Sequence, residues 1–199
     1  MNILQTPLKI VNYPHPSLRH KGKPLTAIDD QVRHIARSMI DLMYEHKGLG
    51  LAAAQVGLPI QLFVANYSGD PEDREAEGVY INPVIVDRSG SVESEEGCLS
   101  FPQLYQKVRR AKTIRAQAYN LEGHLIEIQA SDLAARIWQH EVDHLHGILF
   151  IDKLGPIGKI AARSTLREFE YLYKKAQDKG ELPPDEQIEA TLSQLETML

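Results

Sequence analysis

The chain has 199 residues, of which 43% are hydrophobic and 25% charged, so one globular domain with a short appendage is expected. A formal net charge of −5 gives no support for a general nucleic-acid-binding protein. No apolar run is long enough to predict a membrane-spanning helix, and the first residues lack the pattern of a secretory signal. Because Cys98 is the single cysteine, no disulfide can form within the chain, and a reducing, cytoplasmic setting is expected.

The order of the elements follows from apolar periodicity and from the positions of proline and glycine. Prolines predict an irregular N-terminal segment, residues 1–25. Helices are predicted at 26–46 (capped by Thr26 or Asp29), 131–146 and 157–179. Strands are predicted at 60–66, 79–86, 114–118 and 126–130, the last two forming a hairpin. A polar loop is predicted at 68–78, and a turn-like segment with extended flanks at 90–100.

Strands in the middle and helices at the ends predict an α+β fold. We expect mainly antiparallel sheets packed around a central helix at 131–146, with an N-terminal helix and a C-terminal helix. Residues 1–180 are predicted to form a single domain, and 181–199 a polar tail that can form a short helix. A solvated strand face is the favoured interpretation of the basic residues Lys107, Arg109, Arg110, Lys112 and Arg115.

The sharpest feature is the pattern H-E-x-x-H in the central helix. His140 and His144 lie one turn apart on the same helix face, so both rings can reach one metal ion. Glu141 lies beside them, where its carboxylate can accept a proton from metal-bound water. A surface helix with two chance histidines is the alternative. However, Leu133 and Ile137 continue the same stripe and place the pair towards the core, where an unpartnered glutamate is costly. The sequence therefore favours a metal site.

A catalytic metal site needs a third protein ligand, and Cys98 is the strongest candidate. Its thiolate suits zinc or iron(II), and the preceding Gly97 lets the backbone approach closely. A buried structural cysteine or a nucleophile are the alternatives. A closed structural site would need a fourth ligand. The nearby His146 is off the metal-facing stripe and is predicted to be an ordinary surface histidine.

The stretch GLGLAAAQ contains two glycines, Gly48 and Gly50, and ends at Gln55. It follows a predicted helix rather than a strand, so the pattern is a poor match to a dinucleotide-binding loop. Its small residues instead allow close packing of the backbone against another group. Gln55 is either a satisfied core glutamine or a functional amide.

Together, GLGLAAAQ, EGCLS and QHEVDH resemble, in order and separation, the three motifs of the peptide deformylase family. The resemblance runs from about Ile10 to Lys179. It implies a hydrolase that removes the formyl group from the N-terminal formyl-methionine of newly made polypeptides and releases formate. It implies one divalent metal, Fe²⁺ in the cell, with Zn²⁺ or Ni²⁺ tolerated. In some bacterial members the C-terminal helix docks on the ribosome, so a ribosome contact of residues 157–179 is an open expectation; no other nucleic-acid role and no membrane partner are expected.

The resemblance also implies roles for individual residues. Cys98, His140 and His144 would hold the metal, and Glu141 would act as general base and acid. The side-chain amide of Gln55 and the backbone N–H of Leu99 would hold the oxyanion. The peptide groove and methionine pocket would be lined by Gly48, Leu49, Gly50, Gly97, Leu133, Arg136 and Ile137.

The chain departs from many bacterial relatives after EGCLS. Tyr105 stands where they have an arginine, and Arg109 stands in place of a proline, which affects the expected detail of the substrate groove. Three alternatives to an active deformylase stay open at this point. They are a zinc endopeptidase of the HExxH type, a non-enzymatic metal-stabilised binding module, and a deformylase-like protein without activity, although every expected catalytic residue is present.

Overall fold

The computed structural model describes residues 7–198, so the first six residues of the predicted irregular segment lie outside it. Within that range the helices are α1 (Asp30–Glu45), α2 (Asp132–Leu145), α3 (Pro156–Asp178) and α4 (Asp185–Leu195). The strands are β1 (Gly50–Ala52), β2 (Leu62–Asn66), β3 (Glu77–Ser89), β4 (Val92–Cys98), β5 (Phe101–Arg110), β6 (Thr113–Tyr119) and β7 (Leu125–Ser131). The predicted α+β class is confirmed, with α2 as the central helix.

Five strands form one antiparallel sheet in the order β1-β2-β3-β6-β7. Strand β2 is buried on both faces, which explains its continuous apolar sequence. Leu62 and Val64 pack into a core that includes α1, whereas Phe63 packs into a second core against α2. The sheet therefore separates α1 from α2, and its β1 edge lies beside the metal-binding motif.

Strands β4 and β5 form a separate two-stranded antiparallel sheet. Residues 90–100 were predicted to be turn-like with extended flanks; the turn is confined to the few residues before Val92, and most of the segment is strand β4. Pairing is regular from Val92 opposite Arg110 to Glu96 opposite Gln106, and it then shifts at a bulge before Cys98. The bulge and the polar composition hide the strand period in the sequence, because the alternation of faces is interrupted where the two strands join.

The basic residues on β5 were predicted to form one solvated face, and this prediction is wrong for Arg110. Its side chain is buried and forms ion pairs with Glu96 on β4 and Asp143 on α2. Lys107 and Arg109 are exposed as predicted. Alternation along β5 places Val108 and Arg110 on the inner face, so a charge occupies a core position because two carboxylates meet it there.

Helix α3 extends from the domain with most of its surface exposed, and α4 folds back. Ile188, Leu192 and Leu195 of α4 are buried, and the helix packs on a short 3-10 turn at Pro16–Leu18. Among the described helices, none combines the length and the apolar character that a membrane crossing requires.

Candidate metal centre

Helix α2 is anchored to the sheet by Trp138, which is fully buried. The ring centroids of Phe63 and Tyr80 lie 4.9 and 4.6 Å from that of Trp138. The indole N–H donates to the hydroxyl of Tyr67 at 2.6 Å. This aromatic packing fixes the rotation of the helix about its axis, so residues two and six positions later face the β4–β5 sheet.

Three side chains of the predicted metal site converge. The Sγ of Cys98 lies 3.3 Å from Nε2 of His144, and Nε2 of His144 lies 3.2 Å from Nε2 of His140. The three ligand atoms all lie within 4.8 Å of one another. One sulfur and two imidazole nitrogens from β4 and α2 therefore point at one common position, the donor set that zinc and iron(II) accept.

Glu96, two residues before Cys98, orients one of these rings. Its Oε1 accepts a hydrogen bond of 2.6 Å from Nδ1 of His140. The proton therefore resides on Nδ1, and the lone pair of Nε2 faces the other two ligand atoms. A carboxylate in this position is the usual means by which proteins fix the tautomer and orientation of a metal-binding histidine.

Two buried arginines neutralise Glu96. Arg110 donates to it through Nε at 3.1 Å and Nη2 at 2.5 Å, and Arg136 donates through Nη1 at 2.8 Å. Burial alone would raise the pKa of Glu96, but hydrogen bonds from His140 and Arg110 hold it well below its usual range. Arg110 also bonds Asp143, so the network joins β4, β5 and α2 around the metal ligands.

Two buried polar atoms have no hydrogen-bond partner within residues 7–198: Oε2 of Glu141 and Nδ1 of His144. Native proteins rarely leave such atoms unpaired, and here both belong to the H-E-x-x-H pattern. Burial raises the pKa of Glu141 to about 7. A water beside Glu141 would give its Oε2 a partner, and Nε2 of His144, the atom that faces Cys98 and His140, is available to an ion. Nδ1 of His144 is on the other side of the ring and would not be satisfied by that ion.

Glu141 rests against the backbone of Gly50. A Cβ atom placed on Gly50 would lie 2.5 Å from Oε1 of Glu141, closer than real side-chain contacts allow. The backbone of Gly50 is outside the left-handed region. A glycine is therefore required here because there is no room for a side chain, and not because of the backbone conformation. The small-residue stretch predicted to pack closely against another group does so against this carboxylate.

Gln55 is fully buried, and its two ends have different partners. Its Oε1 accepts from the backbone N–H of Ala52 at 2.8 Å, which fixes the amide orientation. Its Nε2 lies 3.3 Å from the Sγ of Cys98 and 3.5 Å from the Oγ of Ser100. The carbonyl end is therefore satisfied in the core, and the N–H₂ end points into the metal centre.

A cleft of about 450 Å³ leads to the metal centre. All seven residues predicted for substrate binding line it: Gly48, Leu49, Gly50, Gly97, Leu133, Arg136 and Ile137. Leu133 is 51% exposed at the rim of the cleft. The prediction that it belongs to the core-facing row of side chains on this helix is therefore wrong. Arg136 is buried and also donates to the carbonyls of Val108 and Val92, which holds its guanidinium in the wall.

Several residues of the site had no role assigned to them from the sequence, although Tyr105 was noted as a departure that affects the groove. Tyr105 lines the cleft with 61% of its surface exposed, and its ring lies over Gly97, where a Cβ would sit 2.5 Å from Cε1. Gln103 has a left-handed backbone in the same bulge. Glu96 and Asp143 lie inside the quoted motifs, but their role depends on partners distant in sequence, and no local signal reveals it.

Comparison with known proteins gives one consistent family. A family model described as polypeptide deformylase matches residues 7–159. A peptide deformylase of Rhodopirellula baltica is 43% identical over 188 residues, which cover 94% of this chain and 91% of the relative. Peptide deformylase 1B, chloroplastic/mitochondrial, of Arabidopsis thaliana is 42% identical over 187 residues, covering 94% of this chain and 67% of the relative.

Solved structures agree with the sequence comparison. The crystal structure of a plant peptide deformylase 1B has a TM-score of 0.82 at 42% identity, covering 90% of this chain and 96% of that one. Crystals of peptide deformylase from Plasmodium falciparum give a TM-score of 0.81 at 39% identity, covering 84% of this chain and 98% of that one. At these identities the likeness extends beyond the shape of the fold.

Proposed function

We propose a mechanism by which this chain, which belongs to the peptide deformylase family, removes the formyl group from the N-terminal formyl-methionine of nascent peptides. The observation that carries the proposal is the convergence of Cys98, His140 and His144 beside the unpartnered carboxylate of Glu141. These three residues hold one divalent metal. The thiolate and the imidazoles favour Fe²⁺ in the reducing cytoplasm, where we place the protein, and they also accept Zn²⁺ or Ni²⁺.

The residues around the metal divide the chemistry between them. A divalent cation held by Cys98, His140 and His144 would supply a Lewis acid that lowers the pKa of water towards neutral. Glu141 accepts the proton of the attacking water and later returns it to the leaving amine. The Nε2–H of Gln55 and the backbone N–H of Leu99 donate to the oxyanion of the tetrahedral intermediate, each contributing about 3 kcal/mol. Formate and a free N-terminal amine result.

The substrate lies in the cleft as an extended strand. The cleft runs between the start of the edge strand β1, with Gly48 and Leu49 just before it, and the end of β4 at Gly97. Backbone hydrogen bonds to such edges recognise a peptide without reading most of its side chains. The formyl-methionine side chain enters the pocket formed by Leu133, Arg136 and Ile137.

Two of the three alternatives, the zinc endopeptidase and the non-enzymatic binding module, are not favoured. The relatives found by sequence and by structure are peptide deformylases and not endopeptidases. A closed structural metal site needs a fourth protein ligand, and the ligand group among the described residues has three. His146, the nearest further histidine, is exposed and bonds the carbonyl of Val142 instead.

The substitution Glu141→Gln tests the role of the base. We expect formate release from formyl-Met-Ala-Ser to fall by about a thousandfold or more, because the amide cannot accept the proton, while the bound metal is retained. The matched control is Glu122→Gln, at an exposed turn, which should leave the rate unchanged. Full activity of Glu141→Gln would remove this residue from the mechanism. Cleavage of an internal bond in the same peptide would favour the endopeptidase.

The substitution Cys98→Ser tests the ligand set. A hydroxyl is a much poorer ligand for a soft metal than a thiolate, so we expect the metal content after dialysis to fall severalfold. Unchanged metal content would assign Cys98 a structural role. Anaerobic purification followed by metal analysis, with formate release measured on the same sample, tests the choice of Fe²⁺; an active zinc-only protein would contradict it.

We propose that α3 contacts the ribosome. Lys159, Arg163 and Arg167 are exposed at one-turn intervals along one face, beside the exposed Ile157 and Ile160. A row of cations is suited to the phosphate backbone of RNA. The double variant Arg163→Glu/Arg167→Glu should reduce co-sedimentation with ribosomes at least tenfold and leave formate release unchanged. Charge reversal at the distal Lys174 is the control, and equal binding of both variants would refute the proposal.

Every proposed catalytic group lies within residues 1–180, which we propose as the catalytic domain. Residues 181–199 are then a C-terminal extension, and its helix α4 packs back on the domain at the Pro16–Leu18 turn.

A further inference from the structure

The irregular N-terminal segment from Val11 to Ser17, called the strap below, is hydrogen-bonded to the loop that carries Gln55. The backbone N–H of Val11 donates to the carbonyl of Gln55 at 2.9 Å. The Oγ of Ser17 donates to the carbonyl of Ala54 at 2.9 Å. Both carbonyls belong to the short 3-10 turn Ala53–Val56, so two strap contacts fix the main chain from which the Gln55 amide projects.

The strap also contacts the second motif. The backbone N–H of Tyr13 donates to the carbonyl of Ser100 at 3.0 Å, and the Tyr13 ring stacks on Phe101 with centroids 5.0 Å apart. Ser100 follows Leu99 directly. One continuous segment therefore bridges the main chains that carry the two proposed oxyanion donors, Gln55 and Leu99.

Ser17 occupies the most constrained position of the strap. It is fully buried, and its Oγ also lies 2.8 Å from Nδ1 of His15. Nδ1 of His15 also accepts from the backbone N–H of Ser17 at 3.2 Å. The bond from Ser17 to Ala54 joins the strap to the Gln55 loop, whereas the contacts with His15 lie within the strap.

The C-terminal helices hold the strap from the outside. Tyr13 donates its hydroxyl proton to Glu170 of α3 at 3.0 Å. Beyond the strap, His20 lies 2.7 Å from the carboxylate of Glu196, just after α4. The buried apolar face of α4 covers the turn that contains Ser17. These contacts lie beyond residue 159, where the match to the family model ends.

We infer that the strap is a positioning element for the oxyanion site, with Ser17 as the positioning residue for Gln55 and the C-terminal helices as its outer support. The inference rests on the proposed role of Gln55. Donors that act on the oxyanion must be placed before the reaction, because they stabilise charge that develops in the transition state. A displaced Gln55 loop therefore lowers kcat and leaves substrate binding largely intact.

The substitution Ser17→Ala tests this directly. We expect kcat for formate release to fall about tenfold, with KM within about twofold and metal content unchanged. Ser193→Ala, a serine on the exposed side of α4, is the matched control and should behave as wild type. A Ser17→Ala protein with wild-type kcat, or one in which only KM changes, would overturn the inference.

A double-mutant cycle separates positioning from general destabilisation. Gln55→Ala should lower kcat by about a hundredfold or more. In that background Ser17→Ala should change kcat by less than about twofold, because the residue it positions is gone. A persistent tenfold loss would show that Ser17 does not act through Gln55. Wild-type activity of Gln55→Ala would instead refute the proposed oxyanion role, which is a distinguishable failure.

Tyr13→Phe provides a second variant if Ser17→Ala does not fold. It keeps the stacking on Phe101 and removes only the bond to Glu170. We expect kcat to fall about threefold with KM unchanged, and hydrogen exchange at the amides of Ala54 and Gln55 to accelerate. Unchanged kcat together with unchanged exchange would overturn the role of the C-terminal helices.

Discussion

Helix α2 buries five polar side chains, whereas helix α3 leaves four large apolar side chains exposed to solvent. Both helices have an amphipathic sequence, and neither follows the simple rule that apolar residues lie inside. In α2 the buried polar groups include Arg136, His140 and Glu141. In α3 the exposed apolar groups include Ile157, at 85%, and Ile160, at 76%.

The difference lies in what the rest of the chain supplies. Three of the buried polar residues of α2 meet partners on β4 or just after β5: Glu96 accepts from His140 and Arg136, and Gln139 exchanges two hydrogen bonds with the backbone of Ala111. Helix α3 buries only Ala162 and Tyr173. The buried polar groups of α2 surround the candidate metal centre, and the exposed apolar groups of α3 lie on the helix for which we propose docking.

The largest stability effect is expected at the centre of the α2 network. Glu96→Gln leaves Arg110 and Arg136 buried without their shared carboxylate and should lower the free energy of unfolding by about 3–5 kcal/mol. Urea denaturation measures the loss. Glu93→Gln on the same strand is the control, because its 3.8 Å pair with Arg109 is exposed and should be worth less than about 1 kcal/mol. Similar losses for both would contradict the network.

A smaller effect, dependent on pH, is expected where α3 meets the strap. Burial lowers the pKa of His15 to about 4, and its ring lies edge-on to Tyr173 at 6.4 Å. The unfolded chain takes up a proton near pH 6.5 and the folded chain does not, so stability falls as the pH drops below 6.5. Between about pH 7 and about pH 5 the loss should be about 2 kcal/mol.

Urea denaturation of the wild type and of His15→Gln at both pH values isolates this contribution from other titrating groups. The glutamine cannot take up the proton, so the stability difference between the two proteins should shift by the same amount. A difference independent of pH would show that His15 is protonated in the folded protein.

The smallest effect is expected on the exposed face of α3. Ile157→Ser and Ile160→Ser remove apolar surface that is already in contact with water, so each should change the free energy of unfolding by less than about 0.5 kcal/mol. Thermal denaturation and formate release check this result. A destabilisation above about 2 kcal/mol would mean that these side chains are covered in the isolated protein.

Local patterns were sufficient for some elements. Asp29 accepts from the N–H of Val32 as the predicted cap of α1, and the spacing of His140 and His144 placed both rings on one face. The position of Cys98 beside them could be proposed only by elimination and resemblance. The structure then brings its sulfur within 3.3 Å of His144, although 46 residues separate the two.

The β4–β5 sheet and the buried network could not be predicted in the same way. Which face of β5 is buried depends on the bulge at Gln103 and on carboxylates that come from two other elements. The strand sequence alone therefore made Arg110 look like a surface residue. Charges whose partners are distant in sequence carry no periodic signal, and their burial is decided only when the elements meet.

The contact between Gly50 and Glu141 limits the positions that the Glu141 carboxylate can adopt. Main-chain atoms of β1 block it on one side, and the imidazole of His140 follows from the adjacent position of the same helix. A single methyl group added at residue 50 would collide with this carboxylate, and the three nearest atoms that it would meet all belong to Glu141 and not to a metal ligand. With Glu141 as the proposed base, such a change is expected to uncouple cation loading from turnover.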